Sequence, residues 1–370
     1  MEIKRCFFAL AGSFRKLLFR LCGKPIEGVF KSGALCQIED PTGDVTHEDV
    51  IHPCVRYIEE GFEGHRWWMV YTPLYGWNDK LENPRLCYAD ADKGKVPTKW
   101  FFYCDIIGCP TTGYNSDPTM LYKEGKLYVF WRECHTPRAK SLGCYYVVVG
   151  CRVIGKNVIY LSNIQMQEQN LYDDKEVCPT IIDSDGIIKA YSLHQRYEPS
   201  CILVFPKPIL KGVLRLLDLF NVFRLYSRIK CRGIAIWSGS GEIENTYHYI
   251  KTAKIQGVGR LYQPWHMDLF KATSEKGNRL LFAVVQSNEK FADICLAWSE
   301  DGETFNLCKT PLISSHSKKM NGLYKPTAQV VDGVFYMYYT IRDPENKSLH
   351  KLYVTTKDWN SLISDLGISL

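Results

Sequence analysis

Apolar and polar residues alternate along most of the chain in runs of five to nine, the pattern of strands with one buried face rather than of helices. Five stretches repeat one form: a proline near the start, an alternating strand, a turn holding Gly or Asp, and a second strand rich in aromatics. They read HPCVRYIEEGFEGHRWWMVYTP from 52, DPTMLYKEGKLYVFWRE from 117, CPTIIDSDGIIKAYSLHQR from 178, QPWHMDLFKATSEKGNRLLFAVVQS from 263 and KPTAQVVDGVFYMYYTIR from 325. From Pro53 the prolines in phase follow after 65, 61, 85 and 62 residues, and setting aside 205–232 restores one period of about 60 throughout. Each hairpin is followed by a further strand pair, as in ADICLAWSEDGETFN. Four strands per unit, repeated around an axis, predict an all-β fold, a five-bladed β-propeller spanning 45–370.

Two segments break the alternation. Residues 1–25, within a lead-in of 1–44, and residues 205–232, in the third-to-fourth blade region, carry apolar residues at helical spacing among lysines and arginines. They predict an N-terminal amphipathic helix and a helical insertion. Their charges are +5 and +6 against a chain total of +6, which leaves the remainder at −5, so the basicity is local. Basic amphipathic helices settle on anionic membrane surfaces; packing on the main domain with the basic face in water is the other reading. Nucleic acid is not an expected partner, since neither segment belongs to a recognised module.

Arg15 and Lys16 interrupt the apolar run of the N-terminus, which is too short to span a membrane, although Ala9-Leu10-Ala11-Gly12 has the look of a cleavage site. The 15 cysteines stand singly in apolar runs without a CxxC pair, as buried thiols in a reducing compartment do. A cytoplasmic protein, peripheral on the inner membrane, is the expected setting. Aromatics reach 13%, which suits both pleated packing and flat sugar-binding surfaces.

The motifs SDPTMLYKEGKLYVFWRE, ENPRLCYADADKGKVPTKW, WSEDGETF and GLYKPTAQVVDGVFYMYYT resemble the five-bladed propellers of glycoside hydrolase family 43 and its relatives. HPCVRYIEEGFEGHRWWMVYTP and PWHMDLF look more like uncharacterised propellers of bacterial surface-polysaccharide loci. The resemblance implies that the residue before each blade's proline enters the central cavity, as an Asp base, an orienting Asp and a Glu acid. Here those places hold His52, Asp117 and Cys178, and Glu176 lies three residues before Pro179 rather than two, so one carboxylate of three carries over.

At the fourth such end, alternation turns His266 and Asp268 to one face and Trp265 and Met267 to the other. Asp117 and Asp268 could flank a sugar ring as acid and base, with His266 or His52 carrying a proton. Trp265, Trp131 and Trp77 are candidates for stacking on sugar faces. Lys325 and Arg132 could bind an anionic group or pair internally, and Glu82, with Asp79, lies on a loop near blade one. Duller roles stay open: Asp117 as a turn cap, His266 with Asp268 as an inter-blade hydrogen bond, and His52, Cys178 and the aspartates as a metal site. The expectation is a glycan-active enzyme, hydrolase or transferase, working without metal or cofactor on a bacterial surface polysaccharide or its precursor. The alternative is a non-catalytic glycan-binding or scaffold propeller serving polysaccharide biosynthesis at the membrane.

Overall fold

In the computed structural model, residues 27–368 are described apart from 93, 112, 135–146, 156–157, 168–175, 198–229, 241–242, 244–245, 258–263, 274–276, 288–292 and 315–321. Five inner strands open the five repeats: Ile51–Phe62, Tyr114–Lys123, Glu176–Ser184, Pro264–Thr273 and Leu323–Val331. Each pairs antiparallel with the strand that follows. Four of the connecting turns are tight because two successive residues take positive φ, at Glu63-Gly64, Glu124-Gly125, Asp185-Gly186 and Asp332-Gly333. That is the hairpin geometry matching strand twist, and it explains the Gly in the repeat.

The inner strands touch in a closed cycle from the first to the fifth and back to the first. Hydrogen bonding nevertheless gathers the units into four sheets, of four, eight, five and five strands, not five separate blades. The reason lies at the outer edges. Gln165–Gln167, in the last strand of the second unit, pairs parallel with Thr246–His248 of the third, fusing the two units into the eight-stranded sheet. Elsewhere a short strand covers the open edge: Gln37–Glu39 beside the first unit and Lys254–Gln256 beside the fourth. Ala34–Leu35 pairs with the last long strand, His350–Asp358, so the lead-in closes the ring onto its own end. An uncovered edge would offer a template for another chain.

The core lies between neighbouring sheets. Trp67 and Trp100 meet Tyr336 and Tyr338 between the first and fifth units, and Trp68 and Val70 meet Met120 and Trp131 between the first and second. The helix Trp359–Asp365, capped by Asp358, sets Trp359 edge-on against Phe282 with ring centroids 4.9 Å apart.

Residues 1–26 and 198–229 lie outside the described residues, and with them most of the two expected amphipathic helices. One correction falls on the parts that are described: Lys230, Cys231 and Arg232, the end of the expected helical insertion, are strand, paired with Tyr197, Arg196 and Gln195, while residues 27–44 of the lead-in hold two short strands. Among the described residues no helix is long and apolar enough to cross a membrane.

Candidate active site

All five inner strands are irregular at their proline. Pairing skips between Ile51 and Cys54, Ser116 and Thr119, Val177 and Thr180, Pro264 and His266, and Tyr324 and Thr327. A bulge leaves a residue unpaired and re-aims its side chain. In the first three units the residue before the proline is also left-handed, with φ of 52° at His52, 50° at Asp117 and 51° at Cys178. Such backbone costs about 1–3 kcal/mol per residue, and the surrounding sheet must hold it. The three side chains thereby meet His266, Tyr324 and Lys325 at one end of the axis.

Asp117 is the hub. Its Oδ1 lies 3.4 Å from His52 Nε2, 3.7 Å from His266 Nδ1 and 4.0 Å from Lys325 Nζ, while Arg132 Nε stands 3.0 Å from Oδ2. The Cys178 thiol donates to Oδ1 at 3.4 Å and lies 2.8 Å from His266 Nδ1. Burial alone would raise the Asp117 carboxyl, but Arg132, His52, Lys325 and His266 outweigh it and hold the group well below the usual carboxylate range. His52 behaves oppositely: burial pushes it down to about 3 against the pull of Asp117, so its ring is neutral. Burial likewise raises the Cys178 thiol and the Tyr324 phenol, which keep their protons.

A second layer orients this cluster. His52 Nδ1 is 3.1 Å from Thr72 Oγ1, 3.3 Å from Ser116 Oγ and 3.7 Å from Glu82 Oε2, and its Nε2 is 3.4 Å from the Tyr324 hydroxyl. Glu82, placed on a loop by its sequence, is buried here, and burial lifts its carboxyl to about 8. Lys325 donates to the Pro118 carbonyl at 3.3 Å. Trp265 is half-buried beside His266, with centroids 5.8 Å apart, and Trp77 stands exposed at the rim.

Two of the sequence candidates do not join the cluster. Asp268 is buried deeper along the axis, where Arg56 clasps it through two bonds of 2.7 and 2.8 Å and Thr327 donates at 2.6 Å. It bridges the fourth unit to the first and fifth, and does not face Asp117 as an acid or base. Trp131 is fully buried in the core between the first and second units, so it cannot stack on a sugar. The backbone of Glu176 begins the third inner strand opposite His194, and its side chain lies outside the described residues. Tyr324, Ser116 and Thr72 were not singled out by the sequence. The signal for the first two was adjacency, since each immediately precedes a residue aimed at the axis.

His52, Asp117 and His266 each offer a ligand atom, and these atoms lie within 4.8 Å of one another. Two imidazoles and a carboxylate with a position left open form the donor set of a catalytic divalent cation, and a neutral His52 with an ionised Asp117 are the protonation states such a site requires. Thr72 and Ser116 on the far nitrogen of His52 supply the outer hydrogen bonds that fix a metal-binding imidazole. The residues therefore fit a cation; one bound there would share Asp117 with Lys325 and Arg132.

No protein-family model matches the chain, and no curated protein matches it. Solved structures do. An N-acetylgalactosamine deacetylase from F. plautii in complex with blood group B trisaccharide superposes with a TM-score of 0.62 at 14% identity, over 93% of this chain and 97% of that one. The GH43_1 enzyme from Xanthomonas citri complexed with xylose gives 0.52 at 9% identity, over 84% and 88%. A thermostable family-43 glycoside hydrolase gives 0.53 at 11% identity, over 87% and 94%. At such identities the likeness is one of fold: the chain is an all-β propeller, built like propellers that act on carbohydrates.

Proposed function

We propose that the protein is a glycan-active hydrolase that removes an acyl group from an amino sugar at the axial mouth, with a divalent cation held by His52, Asp117 and His266. The convergence of two imidazoles and an ionised carboxylate from three separate strands carries this reading. The cation would supply a Lewis acid for the acyl carbonyl and a more acidic bound water. His52, fixed by Thr72 and Ser116, presents a lone pair rather than a charge. The Tyr324 hydroxyl, kept protonated by burial, is the donor available to a developing oxyanion. Glu82, with its carboxyl near 8, stands protonated behind the Nδ1 edge of His52, on the side away from Asp117; the departing nitrogen would take its proton from the cation-bound water as the carbon–nitrogen bond breaks. Trp265 offers a sugar face a half-buried apolar surface.

This reading replaces the metal-free glycosidase expected from sequence. Glycoside hydrolysis wants two opposed carboxyl groups free to exchange protons. Among the described side chains the cluster offers Asp117, engaged by Arg132 and Lys325, and Glu82, while His52 and Cys178 occupy the places of the implied base and acid. The deacetylase among the structural neighbours agrees with the choice but does not decide it. In this reading the eight-stranded sheet counts as two blades joined at their outer edges, and a bacterial surface polysaccharide is the substrate suggested by the sequence resemblance. The basic segments 1–25 and 205–232 would hold the enzyme at an anionic membrane, which flotation with phosphatidylglycerol vesicles tests.

A second reading, a glycan-binding propeller without turnover, is favoured by the same engagement of Asp117. One assay separates the readings: acetate and new reducing ends released from N-acetylated oligosaccharides with added Zn²⁺ or Mn²⁺. Acetate alone supports deacylation, reducing ends support glycosidic cleavage, and binding without either product supports the second reading.

A further inference from the structure

Beside the axial cluster, on the same end of the propeller, lies a pair of side chains that the proposed chemistry does not use. Trp77 is 48% exposed, and its backbone is left-handed at φ 61°, next to Gly76 at 65°. A bulky residue with positive φ is a true outlier, held there against its own preference. The guanidinium of Arg342 sits over its indole, 4.5 Å from the ring centroid. Arg342 is itself fixed. Its N–H donates to the carbonyl of Gly322, and a Cβ on Gly322 would meet the Arg342 Cβ at 2.8 Å, so only glycine lets the two strands approach this closely. Among the described residues no carboxylate forms an ion pair with Arg342.

The platform is continuous with the mouth. The indole meets His350 edge-on at 5.1 Å, His350 is anchored by Asp49 at 3.1 Å, and the His350 ring lies 5.9 Å from Tyr324, which in turn touches His266 at 4.4 Å. A chain of rings thus runs from the rim to the candidate reacting centre.

We infer that Trp77 and Arg342 form a subsite for a sugar residue bearing a carboxylate, a uronate next to the amino sugar at the mouth. The indole supplies a flat apolar face for the pyranose ring, and the guanidinium supplies a planar pair of donors matched to a carboxylate. The inference rests on the proposed glycan site, of which it specifies the substrate.

Calorimetric titration with two probes tests it: hyaluronan tetrasaccharide, which alternates glucuronate with N-acetylglucosamine, and neutral chitotetraose. The wild-type protein binds the hyaluronan probe about ten-fold more tightly, as one charge-assisted bidentate contact allows, and added salt narrows the gap. Arg342→Gln brings the two probes level and leaves chitotetraose binding unchanged, Arg342→Lys restores only part of the preference, and Trp77→Ala weakens both. Both residues are at the surface, so these variants fold. Equal affinity for the two probes, a preference that survives Arg342→Gln, or no binding of either probe overturns the inference. Asp117→Asn tells the two readings apart: a uronate preference that persists while neither wild type nor variant releases acetate sinks the proposed activity and leaves the subsite standing.

Discussion

Asp117 and Arg132 meet within one hairpin, Nε 3.0 Å from Oδ2, and the carboxylate they share with His52, His266 and Lys325 is 1% exposed. Four cationic or dipolar partners therefore compensate one buried charge, and its loss would leave them facing each other.

Removing Arg132 should expose that dependence. Arg132→Met is expected to destabilise the protein by about 3–5 kcal/mol, the usual cost of leaving a buried charge without its partner. The double variant Asp117→Asn, Arg132→Met should recover a large part of this loss, because the uncompensated charge is then gone. Urea unfolding of the three variants measures the coupling; additive losses would show that the pair is not a unit.

Arg56 and Asp268 pose the contrasting case. The pair ties inner strands 212 positions apart in sequence, and Thr327 and the Ala328 N–H complete the carboxylate's bonds. Asp268→Asn is expected to lower stability by about 3–5 kcal/mol, as one partner of a buried pair does, yet to leave turnover per folded molecule within about two-fold. Activity measured against the folded fraction checks this, and a loss of turnover well beyond that fraction would return Asp268 to the chemistry.

Part of this arrangement was legible in the sequence. The phase of the prolines placed His52, Asp117, Cys178 and Lys325 near one axis, because the bulge at the proline is a local feature repeated with the unit, joined in the first three units by a left-handed residue before it. Alternation put His266 and Asp268 on one face, but it cannot tell that the deeper residue meets Arg56 from another unit. It failed for Trp131 for a related reason: Leu127, Val129, Phe130 and Trp131 are all fully buried, so both faces of that strand are covered and period two carries no direction. The fusion of the second and third units was equally hidden, since it depends on two outer edges finding each other. Glu82 reads as a solvated loop residue until the loop is folded over His52.

Metal loading should be visible without turnover. If His52, Asp117 and His266 hold a divalent cation, Zn²⁺ or Mn²⁺ at about 100 times its dissociation constant adds about 2.7 kcal/mol of stability, a rise of a few degrees in Tm. His266→Ala should abolish that rise, read as the difference in Tm between the metal-loaded and chelator-treated variant, so that the cost of truncating a buried ring cancels. A Tm indifferent to cations in the wild type would remove the cation from the mechanism.

Glu82 gives the clearest dependence on pH. Burial raises its carboxyl from 4.5 to about 8, so the folded state holds a proton that the unfolded chain has already released between those values. Stability from this group is then complete below about 4.5 and is lost as pH rises through about 8. Glu82→Gln keeps the shape and the neutral state at every pH, so in chelator the variant should match wild type near pH 4.5 and exceed it at pH 8 by about 2–4 kcal/mol, an upper bound set by the size of the shift. Urea unfolding at both pH values provides the comparison. Parallel curves for the two proteins would mean that Glu82 is ionised like an ordinary carboxylate, and that His52 has a charge rather than a neutral acid behind its Nδ1 edge.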